Sequence, residues 1–227
     1  VESIAISLLL KESYKRFPKD EEFRSQFPTI QLYNLRIVNY TLRKLENQFQ
    51  SKEPISIENY TVEHIMPQKI NSHDRQWIKD LGLDWQLQHQ KYLHTIGNLT
   101  LTGYNSEYSN SSFQSKLEME GGFKYSRLWL NSMLSNLDTW NSEKIVERAM
   151  KLTDQAIRIW AYPSVDETLL QKYKIKKEAS DNDILEEDHF EKGSETTKTI
   201  YESLRFLISS IGTNVLIEPK KRSIDFV

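Results

Sequence analysis

The chain has 227 residues, 38% of them hydrophobic, enough to bury a sizeable core in one large domain or two small ones. Its formal net charge of -2 does not exclude nucleic acid, because local basic faces decide that contact. The absence of cysteine excludes disulfides, thiol nucleophiles and cysteine-ligated zinc, and is compatible with a reducing cytoplasm.

Residues 2–16 carry apolar positions at helical spacing (Ile4, Leu8, Leu9, Tyr14) and stop at Phe17-Pro18. The run Ile4 to Leu10 lies between Glu2 and Lys11 and is far shorter than the roughly 20 residues of a membrane span, so no membrane is expected. Glu21 to Phe27 reads as a short helix. Leu32 to Phe49 reads as a longer one, with Leu35, Val38, Leu42 and Leu45 three or four apart. Pro54 breaks that pattern and begins an extended approach to a strand over Tyr60–Ile65.

Ser72 or His73 can cap a helical turn through Trp77 and Leu81, with Gly82 as its stop. After Gly97, the alternation of Leu99 and Leu101 with Thr100 and Thr102 predicts a strand with one buried face. Helical periodicity resumes from about Ser106 to Gly121-Gly122, then from Tyr125 to Leu137. Asn141 or Ser142 caps a long helix with an apolar stripe from Ile145 to Trp160, ending at Pro163. Between Lys177 and Lys192 there are seven acidic residues and no Lys or Arg, which predicts a solvated linker. The tail from Thr196 reads as helix, then Gly212, then two short strands separated by Pro219 to Arg222. The start at Val1 and the unpartnered final strand are expected of a piece of a longer protein.

The chemistry concentrates in Val62-Glu63-His64-Ile65-Met66-Pro67 and Ile96-Gly97-Asn98-Leu99-Thr100-Leu101-Thr102, followed by Asn105-Ser106-Glu107. Strand, strand and helix, bearing a histidine and two asparagines, form the layout of a one-metal phosphodiester-hydrolysing site. A histidine near its unperturbed pKa of ~6.5 suits a general base at neutral pH. Mg²⁺ prefers oxygen ligands and keeps several waters, so one carboxylate and one amide oxygen can hold it. Neighbours on a regular strand point to opposite faces, so Glu63 and His64 can share a metal only if the strand bends near Pro67. His64 therefore ranks above Glu63.

These segments, with Asn105 to Lys116, Trp140 to Arg148 and Ile159 to Pro163, resemble the C-terminal nuclease region of GmrSD-type restriction enzymes, within the HNH or His-Me finger superfamily. The resemblance spans roughly Val1 to Pro163. It implies a mainly α-helical α+β fold: a helical domain over 1–163 whose ββα-metal finger (about 57–120) is embedded in a bundle. A linker (164–195) and the start of a small α/β tail domain (196–227) would follow.

It also implies that His64 is the general base, Glu63 the adjoining metal ligand and Asn98 the residue pinning the loop after the first strand. Asn105 would ligate the metal, Mg²⁺ or Mn²⁺, with Asn110 as its rival, and Lys116 would lie near the phosphate backbone. The implied partners are double-stranded DNA and an N-terminal NTPase-like domain or subunit, acting on modified phage DNA.

Other readings stand beside these. Asn105 can be simply an N-cap, Asn98 a turn residue, and Lys116 a solvated helix residue. His94, between Leu93 and Ile96, reads as a satisfied core histidine or one supporting a site residue. A zinc site of His64, His89 and His94 ranks low, without cysteine or a tight histidine spacing. Lys69 and Arg75, with Lys79, Lys91 and Lys124, are candidates for phosphate contact. The alternative to a nuclease is a catalytically degenerate finger that binds DNA or protein.

Overall fold

The computed structural model describes residues 2–11, 15–49, 55–182, 190, 194–211, 217–220 and 223–226. The expectations for Tyr14, Pro54 and Gly212, and for much of the acidic run, lie outside these residues. The chain is mainly helical with small antiparallel sheets, an α+β protein, and it divides into two units, residues 18–162 and residues 1–17 with 163–227.

The unit of residues 18–162 contains α1 (Asp20–Gln26), α2 (Val38–Gln48), β1 (Thr61–His64), α3 (Arg75–Leu81), α4 (Trp85–Tyr92), β2 (Leu99–Thr102), α5 (Asn105–Tyr108), α6 (Phe113–Glu118), α7 (Trp129–Ser132) and α8 (Ser142–Ile159). β1 and β2 pair antiparallel, with Val62 opposite Leu101, Glu63 opposite Thr100 and His64 opposite Leu99. One apolar cluster joins α2 and α8 to Leu99 and Leu101 on one side of this hairpin. A second joins Ile65 and Met66 to Trp77, Tyr108, Phe113 and Trp140.

β2 was expected to bury one face, but all four of its residues are buried. Thr100 donates to Asn131 Oδ1 at 2.5 Å, and Thr102 Oγ1 accepts the Tyr104 amide at 3.0 Å, so both threonines are satisfied inside. The expected helix from Ser106 to Gly121 is two pieces, because Ser109 adopts φ 44° and ends α5. Ser112 then recaps α6 by accepting the Ser115 amide. From Leu32 to Phe49 a single turn at Leu32–Asn34 precedes α2, with extended backbone at Leu35 between them. Between Tyr125 and Leu137 only α7 is α-helical. The Glu46 carboxylate, arriving from α2, takes the amides of Trp129 and Leu130 at 2.8 and 2.9 Å and sets where α7 starts.

Asn141 caps α8 by accepting the Lys144 amide at 3.0 Å. Arg148 lies on the buried face of α8. Its Nη1 donates to the carbonyls of Ile96, Gly97 and Leu99, and its Nη2 to that of Leu130. Gly97 has no room for a side chain: a Cβ there would sit 2.2 Å from the Ile145 carbonyl oxygen. Helix α8 is thereby clamped onto the turn that carries Asn98.

In the other unit, the first helix covers Glu2–Leu9, shorter than the expected 2–16. α9 (Glu167–Asn182) is helical where the composition suggested a linker, and α10 spans Glu195–Ile211. The Ile217–Lys220 and Ser223–Phe226 strands pair antiparallel, so Pro219 and Lys220 belong to a strand and not to the separating turn. Ile200, Leu204 and Leu207 of α10 are exposed. Among the described residues no helix is long and apolar enough to cross a membrane.

Candidate active site

The hairpin remains regular through His64. The ladder continues past it, with the Ile65 amide donating to the Asn98 carbonyl at 2.9 Å. The chain bends only at Ile65 and Met66, beyond both Glu63 and His64, so within β1 the faces alternate as pleating requires. Glu63 shares the Thr100 face, and His64 shares the Leu99 face.

Asn98 is fully buried and uses its whole amide. Its Oδ1 accepts the Met66 amide at 2.7 Å and Trp140 Nε1 at 3.0 Å. Its Nδ2 donates to the carbonyls of Met66 at 3.0 Å and Leu93 at 2.9 Å. This single side chain ties the segment after β1 to the turn before β2.

His64 is 4% exposed, with Tyr33 against it edge-on at 4.3 Å between ring centroids. His64 Nε2 lies 3.1 Å from His94 Nδ1. Burial chiefly pushes the His64 pKa down to about 3, aided by the charges of His94, Lys116 and His89. The ring is therefore neutral at pH 7. His94 is half-buried, and burial followed by the charge of His89 lowers its pKa as well. Its ring stacks on Tyr33, and its carbonyl accepts the Tyr33 amide at 3.1 Å. Nothing in the sequence marked Tyr33 as part of this group.

On the opposite face, Lys116 Nζ lies 2.5 Å from Glu63 Oε1 and donates to the His64 carbonyl at 2.8 Å. Both side chains are buried. Burial is the largest influence on each, raising the Glu63 pKa and lowering that of Lys116, while their mutual attraction opposes both shifts. Lys116 was expected on the surface, at the phosphate backbone or in solvent. The structure corrects this, since an ammonium with no exposed surface cannot meet a DNA phosphate. Its spacing from Phe113 and Leu117, three residues and one, was the available sign that it faces inward.

Asn105, at the start of α5, is exposed. Its Nδ2 donates to Thr61 Oγ1 at 3.1 Å and to the Val62 carbonyl at 3.0 Å, which holds α5 against β1. No hydrogen bond engages its Oδ1 among the described residues. Thr61 Oγ1 and the Val62 carbonyl place Asn105 at the edge of β1. Glu63 and His64 point to opposite faces of that strand, so the expected convergence of those two on one ion is not met within β1. Asn110 is exposed in the turn after α5. Lys69 and Arg75 are exposed beside the segment that follows β1.

Among the described residues no three histidines, cysteines or carboxylates gather as a metal site. His89 Nε2 lies 2.9 Å from the Pro67 carbonyl. A divalent ion would therefore rely on Asn105 Oδ1 and the second Glu63 oxygen. Two oxygen donors fit an ion that keeps most of its water, as Mg²⁺ does.

Compared with known families, residues 17–155 match that of the C-terminal domain of GmrSD restriction endonucleases. The chain belongs to this family. None of the curated proteins compared with the chain matches it. The matched span opens just before α1 and closes inside α8, taking in the hairpin, both asparagines and Arg148. The GmrSD match makes the chain a member of a restriction-endonuclease family, whose substrate is DNA.

Proposed function

We propose that this domain is a divalent-metal-dependent, HNH-type DNA endonuclease in which His64 is the general base. The supporting observation is the state of His64: a neutral imidazole, with Nε2 3.1 Å from His94 Nδ1, at the end of a strand whose continuation Asn98 pins through two hydrogen bonds to Met66. Its Nδ1 makes no hydrogen bond among the described residues. It is also absent from the buried polar atoms that lack a partner, Arg43 Nε and Arg148 Nε. That nitrogen is free to take a proton from water.

A neutral imidazole is the form a general base requires. Asn98 does no chemistry itself; it fixes the backbone just after His64, at Met66, and just before His94, at the Leu93 carbonyl. Lys116 orients Glu63 and compensates its charge. Asn105 and Glu63 would hold Mg²⁺ or Mn²⁺, with Asn110 as the alternative amide. The ion, when bound, supplies charge stabilisation at the scissile phosphate. Lys69 and Arg75 would meet backbone phosphates of double-stranded DNA. By the family's pattern the whole protein acts in the cytoplasm on modified phage DNA, together with an N-terminal NTPase-like domain or subunit.

A second reading is a degenerate finger that binds DNA or protein without cutting. The Lys116–Glu63 pair favours it, because it engages one oxygen of the carboxylate that would have to hold the ion. Plasmid nicking separates the two. Supercoiled DNA with Mg²⁺ or Mn²⁺ should be relaxed and linearised, and a chelator should stop the reaction. DNA bound but never cut with either ion, under conditions where other family members cut, would favour the binding module.

A further inference from the structure

We infer that His94 is a positioning residue that sets the tautomer of His64: its Nδ1 accepts the proton on His64 Nε2, leaving the lone pair of His64 Nδ1 for chemistry. The inference depends on the nuclease reading for its purpose but not for its geometry.

Two imidazole rings with Nε2 of one 3.1 Å from Nδ1 of the other have room for only one proton between those atoms. In one arrangement His64 Nε2–H donates to His94 Nδ1. Then both rings carry their proton on Nε2, His64 Nδ1 holds a free lone pair, and His94 Nε2–H points away from the pair. In the other arrangement His94 Nδ1–H donates to His64 Nε2. Then both rings carry the proton on Nδ1, and His64 has no nitrogen left to act as a base. The first arrangement places both rings in the tautomer that neutral imidazole side chains intrinsically prefer; the second places both in the less stable one.

The surroundings hold His94 where this contact requires it. The Leu93 carbonyl before it is bound by Asn98 Nδ2, and its own carbonyl by the Tyr33 amide. The Tyr33 ring stacks on His94 at an interplanar angle of 12° and meets His64 edge-on, so neither imidazole can rotate without displacing it. A ring nitrogen is thus selected by the hydrogen bond at the other nitrogen, the usual means by which proteins fix an imidazole's function.

Long-range ¹H–¹⁵N spectra of the imidazole rings of the whole chain at neutral pH test the assignment directly. The ring signals are assigned by comparison with His64→Gln and His94→Asn. His64 should show an unprotonated Nδ1 and a protonated Nε2, and His94 likewise. A His64 ring protonated at Nδ1 would overturn the inference. Cleavage kinetics supply the second test. His94→Leu removes the acceptor and should lower kcat roughly tenfold to a hundredfold with little change in KM. His94→Asn, whose side-chain oxygen can replace Nδ1, should recover much of that loss. Cleavage by His94→Leu at the parent rate would also overturn the inference. A chain that shows the expected ring spectrum but never cuts DNA would sink the nuclease reading and leave the tautomer assignment standing.

Discussion

The turn that ends in Asn98 and the short helix that begins at Asn105 lie close in sequence and present the same side chain under opposite conditions. At the turn, the amide is sealed from solvent and every donor and acceptor position is used within the protein. At the helix, Nδ2 anchors α5 to β1 while the oxygen stays open. A saturated amide can only hold structure, whereas an amide with an open oxygen can also bind something from outside. Residue type is therefore a poor guide to role, and the accounting of hydrogen bonds is a better one.

Asn98→Ala should break this comparison hardest. It strands the Met66 amide and carbonyl, the Leu93 carbonyl and the Trp140 indole, each unpaired group costing about 1–3 kcal/mol when buried. Denaturant unfolding should show a loss on the order of 4 kcal/mol or more, with cleavage lost alongside. Asn105→Ala should do the reverse, costing less than about 1 kcal/mol of stability for an exposed amide while lowering the cleavage rate on the order of a hundredfold. Equal stability losses at the two positions would undo the distinction.

Lys116→Met isolates the closed face of the hairpin. Removing one member of a buried pair leaves the Glu63 carboxylate uncompensated, at about 3–5 kcal/mol. Adding Glu63→Gln should recover most of that loss. A single variant as stable as the parent would show that the pair does not form.

The histidine face should make the fold acid-sensitive. The folded pKa of His64, about 3, lies below the ordinary 6.5, so the folded state binds fewer protons than the unfolded chain between those values. The stability from this residue is complete above about pH 6.5 and declines as pH falls towards 3. Unfolding midpoints across that range should fall less steeply for His64→Gln than for the parent.

The smallest effect belongs to the exposed cations. Lys69→Ala and Arg75→Ala should each weaken DNA binding a few-fold without sequence dependence. Each should also reduce the slope of log affinity against log salt by about 1. An unchanged salt slope would remove that residue from the interface.

Much of this site was legible because its signals are local. Proline, glycine and alternation marked the hairpin, and the order of histidine and asparagines marked the family. What stayed hidden depends on contacts distant in sequence. Glu63 and Lys116 meet across α6 and the hairpin, and each looks like an ordinary surface charge when read alone. Arg148 resembles a solvated helix residue until its register with Ile145 and Leu152 is noticed; the carbonyls that receive it lie on a turn far earlier in the chain. Tyr33 gave no signal at all, since only packing brings it onto both histidines.

The central claim is that His64 is the base, and the most direct measurement compares parent and His64→Ala on the same DNA, recording binding and single-turnover cleavage with Mn²⁺. Binding should be nearly unchanged, while the cleavage rate should fall by a factor of about 10² to 10⁴, the usual contribution of a positioned proton acceptor. Equal cleavage by the two proteins would contradict the account.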